Sequence, residues 1–474
     1  MKQKFGKDLT EGSIFKQLLL FSLPIFLGNL LYSGYSIINM IWVGNIIGEN
    51  AVGATTVSLP IILVLLGIIS GATMATSILI SQYYGAKDYR MLEKTINTSF
   101  SLAIIVSFVL TILSILLSDF LLKMMKTPSA IFPMASTYLK ISLIGILFMY
   151  MYFLVSAILR GIGDSVTTLL ILLISTLVNA VFDPILIIGI GPFPKLGLNG
   201  AALASLFSQI FALIFALIYM VRKKILSLNV HMFTMDKSIA LLIVKIGFPS
   251  IIQQCFVQIG AIFVTSFVNS FGATATAAFG AASRIDSLAT MPAAAVNMSV
   301  SSLTGQNLGA SKKERINGIF KWGVLMNVAI TLIISLLALC IPRTLLSMFI
   351  HDSATLDIGV NYLRIVSLGY VLFSIYYVSN GIMNGAGHTI ITMVMSLISL
   401  WIVRVPLSAI LIQTKLGLNG IWISITLSFA VNMIISLVIY FSGKWKKPVV
   451  DKINASINSN ETGQKNSSIL LEEI

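Results

Sequence analysis

The chain is 474 residues long, 57% hydrophobic and only 10% charged, with a mean hydropathy of +0.96 and a formal net charge of +14. That balance excludes an ordinary water-soluble domain, and in a chain this apolar the basic surplus points to membrane topology rather than to nucleic acid. Two cysteines, Cys255 and Cys340, and three scattered histidines, His231, His351 and His388, argue against a disulfide framework or a zinc site. No GxxxxGK[ST] phosphate loop occurs, so the chain carries no ATPase of its own.

A membrane-spanning helix needs roughly 20 apolar residues. Polar punctuation divides the chain into twelve such segments, at 14–40, 51–80, 95–117, 135–158, 166–190, 198–221, 239–268, 275–305, 316–341, 358–383, 389–412 and 418–442. The first is flanked by Lys7 and Lys16 at its N-terminal end and runs too long for the apolar region of a signal peptide, so it is expected to persist as a helix. With the N-terminus inside the cell, the N-terminal residues through Lys16, the alternate loops and the C-terminal tail collect 21 basic residues on the cytoplasmic side. The other side receives only 5: Lys123, Lys126, Lys195, Arg343 and Lys415. This asymmetry predicts that both termini are cytoplasmic.

The second half repeats the first. Residues 195–200 and 415–420 both read KLGLNG, and further matches occur in the same order. Pro24 pairs with Pro249, Gly48 with Gly272, Gln82 and Gly85 with Gln306 and Gly309, Gly161 and Gly163 with Gly385 and Gly387, and Pro184 with Pro406. A fixed order of matches is the mark of duplication. Six helices return each half to its starting side, so the halves are parallel and related by a pseudo-two-fold axis along the membrane normal. The expected architecture is an all-α polytopic membrane protein with an N-terminal lobe at 1–221, a cytoplasmic linker at 222–238 and a C-terminal lobe at 239–442. The linker combines RKK at 222–224 with Leu226, Leu228, Val230, Met232 and Phe233, which suits the membrane surface. The polar, Asn/Ser-rich tail at 443–474 is expected to be disordered.

Several motifs together resemble the multidrug and toxic compound extrusion (MATE) family across about residues 13–442. They are Pro24 with WVG at 42–44, QYYGA at 82–86, RGIGD at 160–164, Asn179 with Asp183 and Pro184, GLNGAA at 197–202 and GQNLG at 305–309. The resemblance implies two six-helix lobes around a V-shaped cleft, alternating access, and export of organic compounds in exchange for H⁺ or Na⁺, with no other cofactor.

Asp183 is the leading candidate for chemistry. A carboxylate within a span costs roughly 2.5–3.5 kcal/mol on insertion scales, so it should face the bundle interior and have a use. Asn179 lies four residues earlier on the same helical face. Pro184 displaces the carbonyl of Ala180 from the helical ladder. These oxygens could hold Na⁺, or the carboxyl alone could hold a proton; the alternative is that Asp183 only braces the proline kink. The resemblance adds Asn39 of the first helix and Ser205 of the sixth to this site. The chain departs from the family here: many relatives carry an aspartate at the position of Asn39, and others an acid near Gln254 and Gln258.

A polar stripe of Asn29, Tyr32, Ser36 and Asn39 on the first helix, and of Gln254, Gln258 and Thr265 on the seventh, is expected to line the cleft or to join helices. Arg284, Asp286, Arg364 and Arg404 form a candidate charge network in the C-terminal lobe, with structural and substrate-binding roles equally open. These features predict a monomeric secondary antiporter in the cell membrane that exports amphipathic, cationic compounds. The competing readings are a flippase for lipid-linked precursors and a membrane-embedded enzyme or scaffold, the enzyme disfavoured by the lack of a His, Cys or acidic catalytic cluster.

Overall fold

The computed structural model describes residues 6–226 and 234–446, and among them the secondary structure is helical without strands. The N-terminal lobe comprises α1 (Ile14–Ile47), α2 (Glu49–Gly85), α3 (Tyr89–Met124), α4 (Phe132–Ile144), α5 (Ile146–Gly161), α6 (Ser165–Ile188) and α7 (Leu198–Arg222). The C-terminal lobe comprises α8 (Lys237–Asn269), α9 (Ala273–Gly309), α10 (Glu314–Cys340), the short α11 (Pro342–Ser347), α12 (Ser353–Val366), α13 (Leu368–Ala386), α14 (Thr389–Leu397), a π-helical turn (Ile398–Arg404), α15 (Val405–Leu411) and α16 (Leu418–Ser442). Nine helical segments among the described residues are long and apolar enough to cross a membrane. The pairs α4–α5 and α12–α13, bent by 41° and 45°, raise the number to eleven. The twelfth span is α9, as long as its counterpart α2 at 37 residues but rich in Ala, Ser and Thr.

The duplication is written in backbone conformation as well as in sequence. Gly48 and Gly272 (φ 105° and 96°), Gly163 and Gly387 (both 88°), and Gly197 and Gly417 (55° and 49°) occupy the same left-handed turns in both halves. A side chain is strained there, so glycine recurs. The bends fall at equivalent places too, after Ile144 and after Val366. Four helices begin at an acidic cap: Asp88, Asp164, Asp236 and Asp352 each accept a hydrogen bond from a first-turn backbone N–H.

The lobes are joined at one end and parted at the other. Leu18, Phe21 and Ile25, early in α1, lie in an apolar cluster with Val296, Val300 and Leu303 of α9. In the mirrored arrangement Ile239, Leu242, Ile243 and Ile246, early in α8, lie with Ile69, Ile78 and Ile96 of α2 and α3. Each lobe's first helix therefore starts in the other lobe's core. Gly71 allows α2 to touch α8, where an added Cβ would come within 2.6 Å of the Ile251 nitrogen. Farther along α1 burial falls away, for every buried residue of the helix except Val43 lies at or before Gly28. The result is two six-helix lobes around a V-shaped cleft.

Several boundaries differ from the sequence expectation, among them those of α3, expected at 95–117 and found at Tyr89–Met124. The helices expected to end near 40, 80 and 305 continue to Ile47, Gly85 and Gly309, because a helix runs past the apolar zone until a turn residue stops it. Residues 443–446 are ordered: the Trp445 indole is buried, donates to the Tyr440 carbonyl at 2.7 Å and stacks on the Tyr440 ring. Leu228, Val230, His231, Met232 and Phe233 of the linker, and the tail from 447 onward, lie outside the described residues.

Candidate functional site

Asp183 is 1% exposed and sits on the α6 face that meets α1 and α7. Asn39 of α1 donates from Nδ2 to Asp183 Oδ2 at 2.9 Å and to the Tyr35 hydroxyl at 3.2 Å. Tyr35 in turn lies 3.2 Å from Ser205 Oγ of α7. With its amide turned so that both ends are satisfied, Asn179 donates to Asp183 Oδ2 at 2.7 Å and to the Tyr35 hydroxyl at 2.8 Å, and accepts from the Ser205 N–H at 3.0 Å. Thus Asp183, Asn179, Asn39 and Ser205 converge in one pocket built from three helices. Among the described residues no ion pair reaches Asp183. Its carboxylate is surrounded by amides and hydroxyls, an oxygen-rich set that suits a proton or a hard monovalent cation.

Tyr35 is the member that sequence reasoning missed. The stripe drawn through Tyr32 and Ser36 follows the helical period, but the pocket face runs through Tyr35 and Asn39, which are four residues apart. Tyr32 and Ser36 are exposed and Asn29 is half-buried. Gln254 faces α2, where a Cβ on Gly67 would lie 3.4 Å from its own Cβ, and Gln258 is half-buried. The neighbouring Gln253, not singled out in the sequence, ties α8 to α14 through Ser396 Oγ at 2.7 Å and the Thr392 carbonyl at 3.2 Å.

The expected C-lobe network is not closed by salt bridges among the described residues, although Asp286 and Arg404 lie near enough to attract each other. Arg284 and Arg364 are exposed, and none of the described ion pairs involves Arg284, Asp286, Arg364 or Arg404. Asp286 instead accepts hydrogen bonds from the hydroxyls of Tyr362 and Tyr370, which flank the α12–α13 bend. Arg404 donates from Nε to Ser428 Oγ at 2.8 Å, with its guanidinium 4.9 Å from the centre of the Phe429 ring. The physical reason is helical direction: Arg284 points to the surface, while Asp286, two residues on, turns inward. Tyrosine hydroxyls satisfied the carboxylate where a pattern of charges alone suggested arginine.

Residues 24–185 and 249–410 match the sequence pattern of the MatE family. The probable multidrug resistance protein YpnP of Bacillus subtilis is 34% identical over 439 residues, spanning 93% of this chain and 97% of that protein. The probable multidrug resistance protein YoeA of the same organism is 30% identical over 94% of this chain and 97% of its own length. Among solved structures, a MOP superfamily transporter from Pyrococcus furiosus superposes with a TM-score of 0.86 at 23% identity, covering 94% of this chain and 99% of that one. A multidrug resistance MATE family transporter described in an outward-facing conformation superposes with a TM-score of 0.85 at 23% identity, covering 94% and 97%.

Proposed function

The chain belongs to the MatE family of multidrug efflux transporters, and from that premise we propose that it is an antiporter exporting amphipathic organic cations in exchange for H⁺ or Na⁺. Asp183 carries the coupling ion, held by Asn39, Asn179, Tyr35 and Ser205. One observation carries this reading above the others: a buried carboxylate inside a span, with no salt-bridge partner among the described residues and a ring of neutral donors and acceptors. A buried charge is costly unless something neutralises it. The neutralising species here is the transported ion, so loading and emptying of Asp183 changes the electrostatics of the N-terminal lobe each cycle.

The orientation follows from the basic-residue asymmetry, with both termini cytoplasmic in the cell membrane and the cleft of this conformer opening outward. Tyr32, Ser36, Asn29 and Gln258 then wet the cleft, where exposed tyrosine rings suit flat cations. Ion entry at Asp183 from outside and substrate binding from the cytoplasm exclude one another. The available driving force is about 1.4 kcal/mol per pH unit plus about 2.3 kcal/mol per charge per 100 mV. The printed names of the B. subtilis relatives as multidrug resistance proteins support organic compounds as the cargo class.

The test uses the purified full chain in proteoliposomes loaded with ethidium, with a pH gradient or a Na⁺ gradient imposed separately. The expected result is ethidium movement under one gradient only, saturable and reduced by other organic cations. Movement under neither gradient, or competition by a lipid-linked glycan and by no cation, would overturn the reading.

A further inference from the structure

The end of the cleft that is closed in this conformer is held by a reciprocal pair of carboxamides. Gln82, at the end of α2 in the N-terminal lobe, donates from Nε2 to the Gly385 carbonyl of the C-terminal lobe at 2.8 Å. Gln306, its repeat partner at the end of α9, donates from Nε2 to the Gly161 carbonyl of the N-terminal lobe at 2.9 Å. Both donors and both acceptors are matched pairs of the duplication, so the two bonds are one contact seen twice across the pseudo-two-fold axis. Both glutamines are 0% exposed. Glycines bring the backbones close enough: a Cβ on Gly85 would lie 2.0 Å from the Gln306 carbonyl oxygen, and one on Gly309 would lie 1.9 Å from that of Gln82.

A strap crosses this junction. The segment before α1 binds the N-terminal lobe with its first residues: the Lys7 N–H donates to the Ile162 carbonyl at 3.0 Å, and a Cβ on Gly163 would lie 2.3 Å from the Lys7 oxygen. Its next residues bind the C-terminal lobe. The Leu9 N–H donates to Gln306 Oε1 at 2.9 Å, and Asn307 Nδ2 donates to the Leu9 carbonyl at 3.1 Å. Lys312 Nζ then donates to the Thr10 carbonyl at 3.1 Å, and an Arg315 guanidinium nitrogen to the Gly12 carbonyl at 3.0 Å. The Leu9 side chain is fully buried in the C-lobe cluster. Gln306 thereby uses its oxygen on the strap and its nitrogen on the opposite lobe.

We propose that residues 7–12, clasped by Gln306 and mirrored by Gln82, form a latch that holds the cytoplasmic gate shut and must release for the cleft to open inward. This inference rests on the alternating-access reading given above. Lys7 and Leu9 are two residues apart and belong to opposite lobes by their contacts, so separating Gly161 from Gln306 breaks one set or the other. The chemistry suits a gate. Carboxamides and backbone carbonyls that part at a water-filled opening exchange their protein hydrogen bonds for water, whereas an apolar seal of the same area would expose its surface. Lys312 also reaches Thr10 Oγ1 and pairs with Glu11, and Arg315 Nε donates to Asn307 Oδ1, so both tighten the latch without touching the ion pocket.

The experiment measures distances between spin labels on the full chain in lipid nanodiscs, in a background with Cys255 and Cys340 replaced by serine. One pair, at Arg90 and Lys313, reports the cytoplasmic gate; a second, at Lys126 and Arg343, reports the outer mouth. Three forms are compared with the parent, each with and without ethidium: deletion of residues 2–8, Gln306→Leu, and the milder Lys312→Gln with Arg315→Gln. The latch predicts that each variant gains a longer cytoplasmic distance, its open-to-closed ratio rising about fivefold for every hydrogen bond removed, while the outer pair shortens in step. An unchanged cytoplasmic ratio in all three, or broadening of both pairs together as a loosened fold would give, overturns the latch while leaving the transport reading in place. A parent that shows one cytoplasmic distance with and without ethidium, at acid and alkaline pH alike, removes alternating access and the latch with it.

Discussion

The two lobes share a backbone plan and differ in what fills the equivalent pocket. In the N-terminal lobe, Tyr35, Asn39, Asn179, Asp183 and Ser205 make a polar site between α1, α6 and α7. By the offsets of the repeat, the same positions in the C-terminal lobe hold Gly260, Val264, Trp401, Val405 and Ile425. There the side chains close on one another: a Cβ on Gly260 would lie 2.2 Å from Leu400, and the Trp401 ring packs edge-on against Phe256 and Phe263. The C-lobe carboxylate sits elsewhere, on α9, clasped by two tyrosines at a helix bend. The duplication gives two frames of one shape, of which one holds a polar pocket and the other is packed with apolar side chains.

The sharpest way to break this comparison is to move the carboxylate. Asp183→Asn combined with Val405→Asp should not recover ion-driven transport, because no neutral donor ring awaits the new group. The added charge should cost about 2.5–3.5 kcal/mol, read as a lowered midpoint in thermal unfolding in detergent. Recovery of gradient-driven ethidium transport would show that the two frames are interchangeable after all. Next in size, Gly260→Ala forces a methyl into Leu400. The expected loss is about 1–3 kcal/mol of stability with the ion dependence of transport unchanged in the surviving protein.

A smaller effect sharpens the N-lobe side. Tyr35→Phe removes a hydroxyl that orients both Asn39 and Asn179 without itself touching Asp183. Losing about 1 kcal/mol of that support should raise the ion concentration for half-maximal transport about fivefold and leave the maximal rate alone; an effect on rate alone would assign Tyr35 to the moving parts instead. Smallest is Asp164→Ala. Asp164 caps α6 through the Thr167 N–H and accepts from Tyr219 at 2.8 Å, whereas its C-lobe counterpart at the start of α14 is His388. A loss of about 1 kcal/mol in unfolding stability is expected, with transport per folded molecule unchanged.

How far the sequence carries depends on what each residue must satisfy. The duplicated turns are legible because left-handed backbone selects glycine, and Gly163 and Gly387 stand at the same φ. Asp183 with Asn179 is legible because an intramembrane acid is costly and a four-residue spacing fixes the face. Tyr35 was hidden among fourteen tyrosines, since nothing in its own sequence shows that its hydroxyl meets α7. The hydroxyls that reach Asp286 were hidden for a related reason. A carboxylate needs donors, and sequence lists charges more plainly than it lists hydroxyls delivered by a bent helix. The α9 span is the converse case, expected at 275–305 from the polar punctuation around it although its Ala, Ser and Thr content leaves it less apolar than its counterpart α2.

The central claim is that one carboxylate, Asp183, couples ion to cargo. The direct measurement follows ion flux in proteoliposomes when ethidium is added, using a pH-sensitive dye and, separately, a Na⁺-sensitive dye inside the vesicles, for the parent chain and for Asp183→Asn. The account predicts counterflow of one of the two ions in the parent and none in the variant, with ethidium binding to both. Counterflow of equal size in Asp183→Asn, in protein shown to be folded and correctly inserted, would contradict it.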